Sequence, residues 1–296
     1  MNAYLSVLGV SLGVRTPITE VPDIVTAGHL DVLHAEGLAF CRVTNLNAME
    51  LAASVTPGAP GGPPQVAPVD LALVCTDSAD HPDMTRWLVD YQLLTGLEST
   101  RTILVSGSAC ANTITAMDMA RGLLACGSAR RILGVTADRA ASSRYLASGQ
   151  SVLSDGAASW LMTRTPGPRS FELLGVTGET RCLRTTHPLS QARSLIRAVQ
   201  QGYDRLRNDL DQPSRYLVLP HLGKSSRDLL TMAVGSGPDR RYDAPVADLG
   251  HCFAADPLLD LAQMQQEGAL DDGDQVLVVA SAAHTAWLAA LRFAAN

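Results

Sequence analysis

Two stretches of this 296-residue chain follow one plan, and that repetition limits the folds open to it more than any other feature. The apolar run Leu71-Ala72-Leu73-Val74-Cys75-Thr76 resembles Tyr216-Leu217-Val218-Leu219-Pro220-His221, and a helix candidate follows each. Thr76 and Cys110 are 34 positions apart, His221 and Asp256 are 35. Each copy then closes on a turn of small residues, a helix and an apolar strand. In the first copy these are Ile103 to Cys110, Ala111 to Gly127 and Ile132 to Val135; in the second, Asp248 to Asp256, Pro257 to about Glu267 and Gln275 to Ala280. Such self-similarity implies an internal duplication. Strands alternating with helices imply parallel or mixed sheets covered by helices. The expected fold is α/β with two pseudo-repeated halves, residues 1–163 and 164–296. The boundary falls in the stretch 164–170, which carries two prolines and a glycine.

The remaining elements read less sharply. Residues 4–12 predict a first strand, and Ala48 to Val55 a short helix. Glu20 to Leu38 is weakly amphipathic, Pro82 to Leu94 is a helix candidate, and Pro57 to Pro64 is a loop. Ser154 to Met162 predicts a tight turn running into a strand, Phe171 to Thr177 a strand, and Gln191 to Leu210 an amphipathic helix.

Composition excludes several functional classes. Hydrophobic residues make up 46% and charged residues 18%, so the chain can bury a large core. The net charge of -6 does not suit a nucleic-acid or anionic-membrane partner. Apolar runs end well before the roughly 18 residues needed to span a bilayer. The N-terminal apolar stretch has no basic start, since its first positive residue is Arg15. The alternation Tyr4-Leu5-Ser6-Val7-Leu8 reads as a strand, so a cytoplasmic location is expected. Six scattered cysteines with no C-x-x-C pair argue against a disulfide framework or a metal site.

Cys110 stands where a buried strand passes through Ser106-Gly107-Ser108-Ala109 into a helix. A cysteine at a helix N-terminus faces unpaired N–H groups and the positive end of the helix dipole, both of which favour the reactive thiolate. The alternative is that Cys110 only packs, as free cysteines commonly do.

Five segments in order then resemble the β-ketoacyl-acyl-carrier-protein synthase III branch of the thiolase-fold condensing enzymes. Ser108-Ala109-Cys110 matches the nucleophile turn, and Ser154-Asp155-Gly156-Ala157-Ala158 the family's G-D-G-A-G-A segment. Pro220-His221-Leu222-Gly223-Lys224 is similar to H-Q-A-N, and Gly250-His251-Cys252-Phe253-Ala254-Ala255-Asp256 to G-N-T-S-A-A-S. Ser281 to Thr285, with Leu291-Arg292-Phe293, resembles the G-G-G-F-T segment and its R-F ending. The resemblance implies a thiolase-like fold, an acyl-enzyme on Cys110 and a homodimer. It implies no permanently bound cofactor; the acyl donor is acyl-CoA or the phosphopantetheine of an acyl carrier protein. The oxyanion is held by the N–H groups of Cys110 and Ala282. Arg144 is a candidate for the donor's phosphates.

The departures from the family pattern point to the second step. Condensing members use Cys-His-Asn, but His251 occupies the asparagine position and Asp256 follows five residues on. Acyl-transferring relatives use Cys-His-Asp, which implies that His221 abstracts the acceptor's proton while Asp256 orients the imidazole. Asp256 also precedes Pro257 and an apolar run, the pattern of a helix N-cap. The leading expectation is an acyltransferase that moves an acyl group to a hydroxyl or amine of a small-molecule or natural-product acceptor. A second is a decarboxylative ketosynthase using His221 and His251, and a third is a non-catalytic partner subunit of a condensing enzyme.

Overall fold

The computed structural model describes residues 2–140, 144–147, 151–182, 187–210, 212–242, 244–282 and 284–295. Nine strands form one sheet. In chain order these are β1 (Tyr4–Leu12), β4 (Leu71–Cys75), β5 (Arg101–Val105), β6 (Arg131–Asp138), β9 (Gly156–Thr163), β10 (Ser170–Thr180), β11 (Tyr216–Val218), β12 (Gln275–Ala282) and β13 (Thr285–Ala294). Two short pairs lie outside it: β2 (Val14–Pro17) with β3 (Phe40–Val43), and β7 (Leu146–Ala147) with β8 (Ser151–Val152).

The sheet runs β5-β4-β6-β9-β1-β10-β13-β12-β11. Its seam is the antiparallel pair β1–β10, with Tyr4 opposite Glu172 and Leu5 opposite Phe171. Read outward from that seam, the halves match. The first goes β1, β9, β6, β4, β5 and the second β10, β13, β12, β11. The strand matching β5 is reduced among the described residues to one parallel bridge, Leu217 to Arg241. Strand β4 is buried at all five positions and pairs in parallel with both β5 and β6, as its unbroken apolar sequence requires. Strand β11 stops at Val218, before Pro220, which has no N–H for a ladder.

The helices are α1 (Pro22–Ala27), α2 (Leu30–Ala35), α3 (Ala48–Ala53), α4 (Met84–Thr95), α5 (Asn112–Ala125), α6 (Pro188–Leu206), α7 (Lys224–Ala233), α8 (Val246–Leu249) and α9 (Asp256–Glu267). Leu51, Trp87 and Tyr91 of α3 and α4 cover one face of the first half. Val199, Leu206 and Leu230 of α6 and α7 cover the second. Between the halves lie α5 and α9, whose Ile114, Met117, Leu124, Leu258, Leu261 and Met264 share the largest core cluster. The stretch Glu20 to Leu38 forms no single amphipathic helix, because Gly28 in the left-handed region (φ 70°) ends α1 before α2 starts. The 191–210 segment is helical from Pro188 to Leu206 and tightens into a 3-10 turn at Arg207–Asp209.

Candidate active site

The two duplicated turns are built alike. Ala109–Ala111 and Phe253–Ala255 are both 3-10 turns leading into a helix, α5 and α9 respectively. Each begins on a non-glycine residue with positive φ, 48° at Ala109 and 53° at Phe253. A side chain in that region is strained by about 1–2 kcal/mol, so packing must hold both turns in place. The Cys110 turn lies against β12 and β13 of the second half, and the Phe253 turn against β6 and β9 of the first. The two turns also touch each other.

A hydrogen-bond network anchored on the buried Asn112 fixes the Cys110 turn. One oxygen of Asp77, just past β4, accepts from the Ser106 hydroxyl and from Gly107 N at 2.8 Å. The other accepts from Asn112 Nδ2 at 2.9 Å, and Asn112 Oδ1 accepts from Ser108 N at 2.9 Å. Cys110 is thereby left half-buried on the wall of a cavity of about 340 Å3. Leu146, Leu153 and Phe253 give the cavity an apolar side, and Asp138 and Arg144 a polar one.

His251 meets the sulfur. Its Nε2 lies 2.9 Å from Cys110 Sγ, and its Nδ1 2.5 Å from Asp256 Oδ2. The Ser154-Asp155-Gly156 segment holds it from behind. Ser154 N donates to His251 O at 2.9 Å, and His251 N donates to Val152 O at 2.8 Å. Gly250 turns the chain into this position with φ 62° and ψ -172°. Asp155 ties down the surrounding loops, accepting from Thr44 N, Ala140 N and the Tyr145 hydroxyl. Asp256 does not cap its own helix; no side chain caps α9. Its carboxylate instead accepts from Cys252 N, His221 N and His251, because the 3-10 turn aims it back across the bend.

His221 is placed differently from the expected base. It is fully buried, its Nε2 is 2.8 Å from Asp260 Oδ1, and its Nδ1 is 3.2 Å from Gly250 O. Both ring nitrogens thus face acceptors, an arrangement that a doubly protonated imidazolium satisfies. Burial opposes that charge, but Asp256 and Asp260 outweigh it and raise the pKa to about 9. Burial likewise opposes a charged His251, yet the Cys110 sulfur and Asp256 hold its pKa well above the ordinary histidine value. Asp256 faces both histidines and, despite its burial, lies below the usual carboxylate range.

The structure thus brings Cys110, His221, His251 and Asp256 to one place. Cys110, His251 and Asp256 form one hydrogen-bonded line, and His221 stands behind Asp256. Ala282 ends β12, the strand that lies against the Cys110 turn. Asp77, Asn112, Asp138 and Asp260 were not singled out. For Asp77 and Asp138 a signal existed, since each stands at or just past the carboxyl end of an apolar parallel strand, where ligands gather in open α/β sheets.

No protein-family profile matches the chain, and no curated protein sequence matches it. Solved structures do. An acyltransferase, ChlB3, superposes with a TM-score of 0.79 at 17% identity, covering 99% of this chain and 98% of its own. Xanthomonas campestris OleA with bound lauric acid and lauroyl-CoA gives 0.75 at 14% identity, over 99% of each chain. A 3-oxoacyl-(acyl-carrier-protein) synthase III gives 0.74 at 16% identity, over 97% of this chain and 99% of its own. The nine-stranded duplicated architecture is thus the thiolase-type fold of ketosynthase III-like enzymes.

Proposed function

We propose that the chain is an acyltransferase that carries an acyl group from a thioester, through acyl-Cys110, to a hydroxyl or amine of a small molecule. The observation that carries this reading is the line Cys110 Sγ–His251 Nε2 and His251 Nδ1–Asp256 Oδ2, at 2.9 and 2.5 Å. It has the geometry of a nucleophile, a base and an orienting carboxylate. In the first step the thiolate attacks the thioester carbonyl, the carbon–sulfur bond to the donor breaks, and His251 gives its proton to the departing thiolate. The N–H groups of Cys110 and Ala282 are the proposed oxyanion donors.

Acylation prepares the second step. Once Cys110 is a neutral thioester, the sulfur charge that kept His251 protonated is gone, and burial drives the imidazole toward its neutral form. His251 Nε2 then takes the acceptor's proton as its oxygen or nitrogen attacks the acyl carbon. The bond to Cys110 breaks and the thiolate re-forms beside the imidazolium.

The decarboxylative reading for this chain places His221 and His251 together at the reacting carbon. His221 turns its Nε2 to Asp260 instead, so the geometry favours transfer over condensation. A half-buried Cys110 on a cavity wall favours catalysis over a purely structural subunit. The donor is proposed to be acyl-CoA or an acyl carrier protein, in keeping with the lauroyl-CoA bound by the structurally similar OleA.

Intact-protein mass spectrometry with a panel of acyl-CoA thioesters tests the reading. Wild type gains the acyl mass and Cys110→Ala does not. Asp256→Asn retains Cys110 but discharges the acyl group on the order of 10³-fold more slowly, because the amide no longer stabilises the imidazolium. Full-rate discharge by Asp256→Asn would remove the triad. Carbon dioxide release from malonyl-CoA with a β-keto product would replace transfer by condensation.

A further inference from the structure

Asp138 ends β6 and lines the cavity that exposes Cys110, yet the acyl transfer described above does not use it. Its side chain is 3% exposed. The two carboxylate oxygens differ sharply. Oδ1 accepts three hydrogen bonds, from Asp77 N and Ser78 Oγ at 2.9 Å and from Thr76 Oγ1 at 3.1 Å. Among the described residues no donor reaches Oδ2, although a carboxylate oxygen in a residue this buried strongly favours one. Were Asp138 only a brace for the 76–78 turn, a threonine or asparagine with one acceptor would serve. The second oxygen adds a buried acceptor to the cavity wall.

We propose that Asp138 Oδ2 accepts a hydrogen bond from a second hydroxyl of the acyl acceptor, so that the enzyme prefers diol-like acceptors to simple alcohols. This rests on the acyl-Cys110 reading above and names the acceptor class for it. The cavity's two arginines, Arg139 and Arg144, balance its two carboxylates, Asp77 and Asp138, so its charge does not select a cation and a neutral hydroxyl suits Oδ2. A diol held at Oδ2 by one hydroxyl is anchored while the other attacks the acyl carbon and gives its proton to His251 Nε2. Anchoring then lowers the entropy lost in reaching the transition state. The ester forms as the bond to Cys110 breaks, and the anchored hydroxyl leaves unchanged.

Asp138→Asn is the discriminating variant. The amide oxygen can keep all three bonds made by Oδ1, while the free acceptor becomes an NH2 donor. The acyl-enzyme is formed with an acyl-CoA, freed of excess donor, and chased with 1-propanol or 1,2-propanediol at equal concentration; the two esters are quantified. The ratio of the two rates is internal to one acyl-enzyme, so it is independent of loading rate and folded fraction. In wild type the diol is expected to win by about tenfold, the scale of one hydrogen bond to a charged group. Two hydroxyls give only twofold by number. In Asp138→Asn the ratio falls to that twofold. A wild-type ratio of two, or a tenfold ratio that survives Asp138→Asn, overturns the assignment. Failure of any thioester to load Cys110 overturns the acyltransferase reading itself, and this inference with it.

Discussion

His251 and His221 stand on either side of the Asp256 carboxylate, and the partner of each second nitrogen separates their roles. His251 spends its Nε2 on the sulfur, whereas His221 has no nitrogen free of an acceptor. The raised pKa of His221 favours a cation behind the Asp256 carboxylate, which in turn favours an ionised Asp256 inside the core. That has a consequence for stability. A histidine with a folded pKa of about 9 stabilises fully below its unfolded value near 6.5, and the contribution fades as pH rises through 9. The gap in unfolding free energy between wild type and His221→Gln should be widest near pH 6 and shrink by about 3 kcal/mol toward pH 9.5. Urea melts across that range measure it, and a gap that does not change with pH would show His221 to be neutral. That Cys110, His221, His251 and Asp256 gather at one place was legible because all four sit in short recognisable turns. Which histidine serves the sulfur was not, because that depends on Asp260, a full helical turn beyond Asp256 and unremarkable in an amphipathic run.

Local plans were the easiest part of the chain to read. Strand, small-residue turn and helix follow one another around Cys110 and again around Asp256, and each is specified within about ten residues. Close contacts between strands were less visible. Gly134 in β6 faces Trp160 in β9, and a Cβ built there would stand 1.9 Å from the ring. Gly178 in β10 meets Trp287 of β13 in the same manner. Each bulky ring lies flat over a residue with no side chain, a pairing no single segment announces. Gly134→Ala should lower stability by about 1–3 kcal/mol, the scale of overpacking a filled core. The urea midpoint checks it, with Gly122→Ala, whose Cβ meets nothing, as the permissive control in α5.

At the scale of the molecule, the duplication was legible from spacing alone, but the seam was not. Nothing in Tyr4-Leu5 or Phe171-Glu172 announces that they join two sheets into one. Among the described residues no strand lies beyond the β5 edge of that sheet, and Val89, Leu93 and Leu94 are exposed on α4, which packs on β5. An open edge flanked by apolar side chains suits pairing with a second copy. We propose a homodimer through β5, for which light scattering should read near twice 31.3 kDa. A mass of one chain at micromolar concentration would rule it out.

The crossing of the two turns carries a further consequence for how such a chain can change. Each half lends its terminal strands as the floor under the other half's reactive turn. The Cys110 turn therefore answers to residues of the second half, and the His251–Asp256 bend to residues of the first. The duplicated copies are free to drift apart in sequence, as the reduction of the second β5 equivalent to one bridge among the described residues indicates, but not to part company. A gene reduced to one copy would keep a sheet and forfeit the contact between Cys110 and His251.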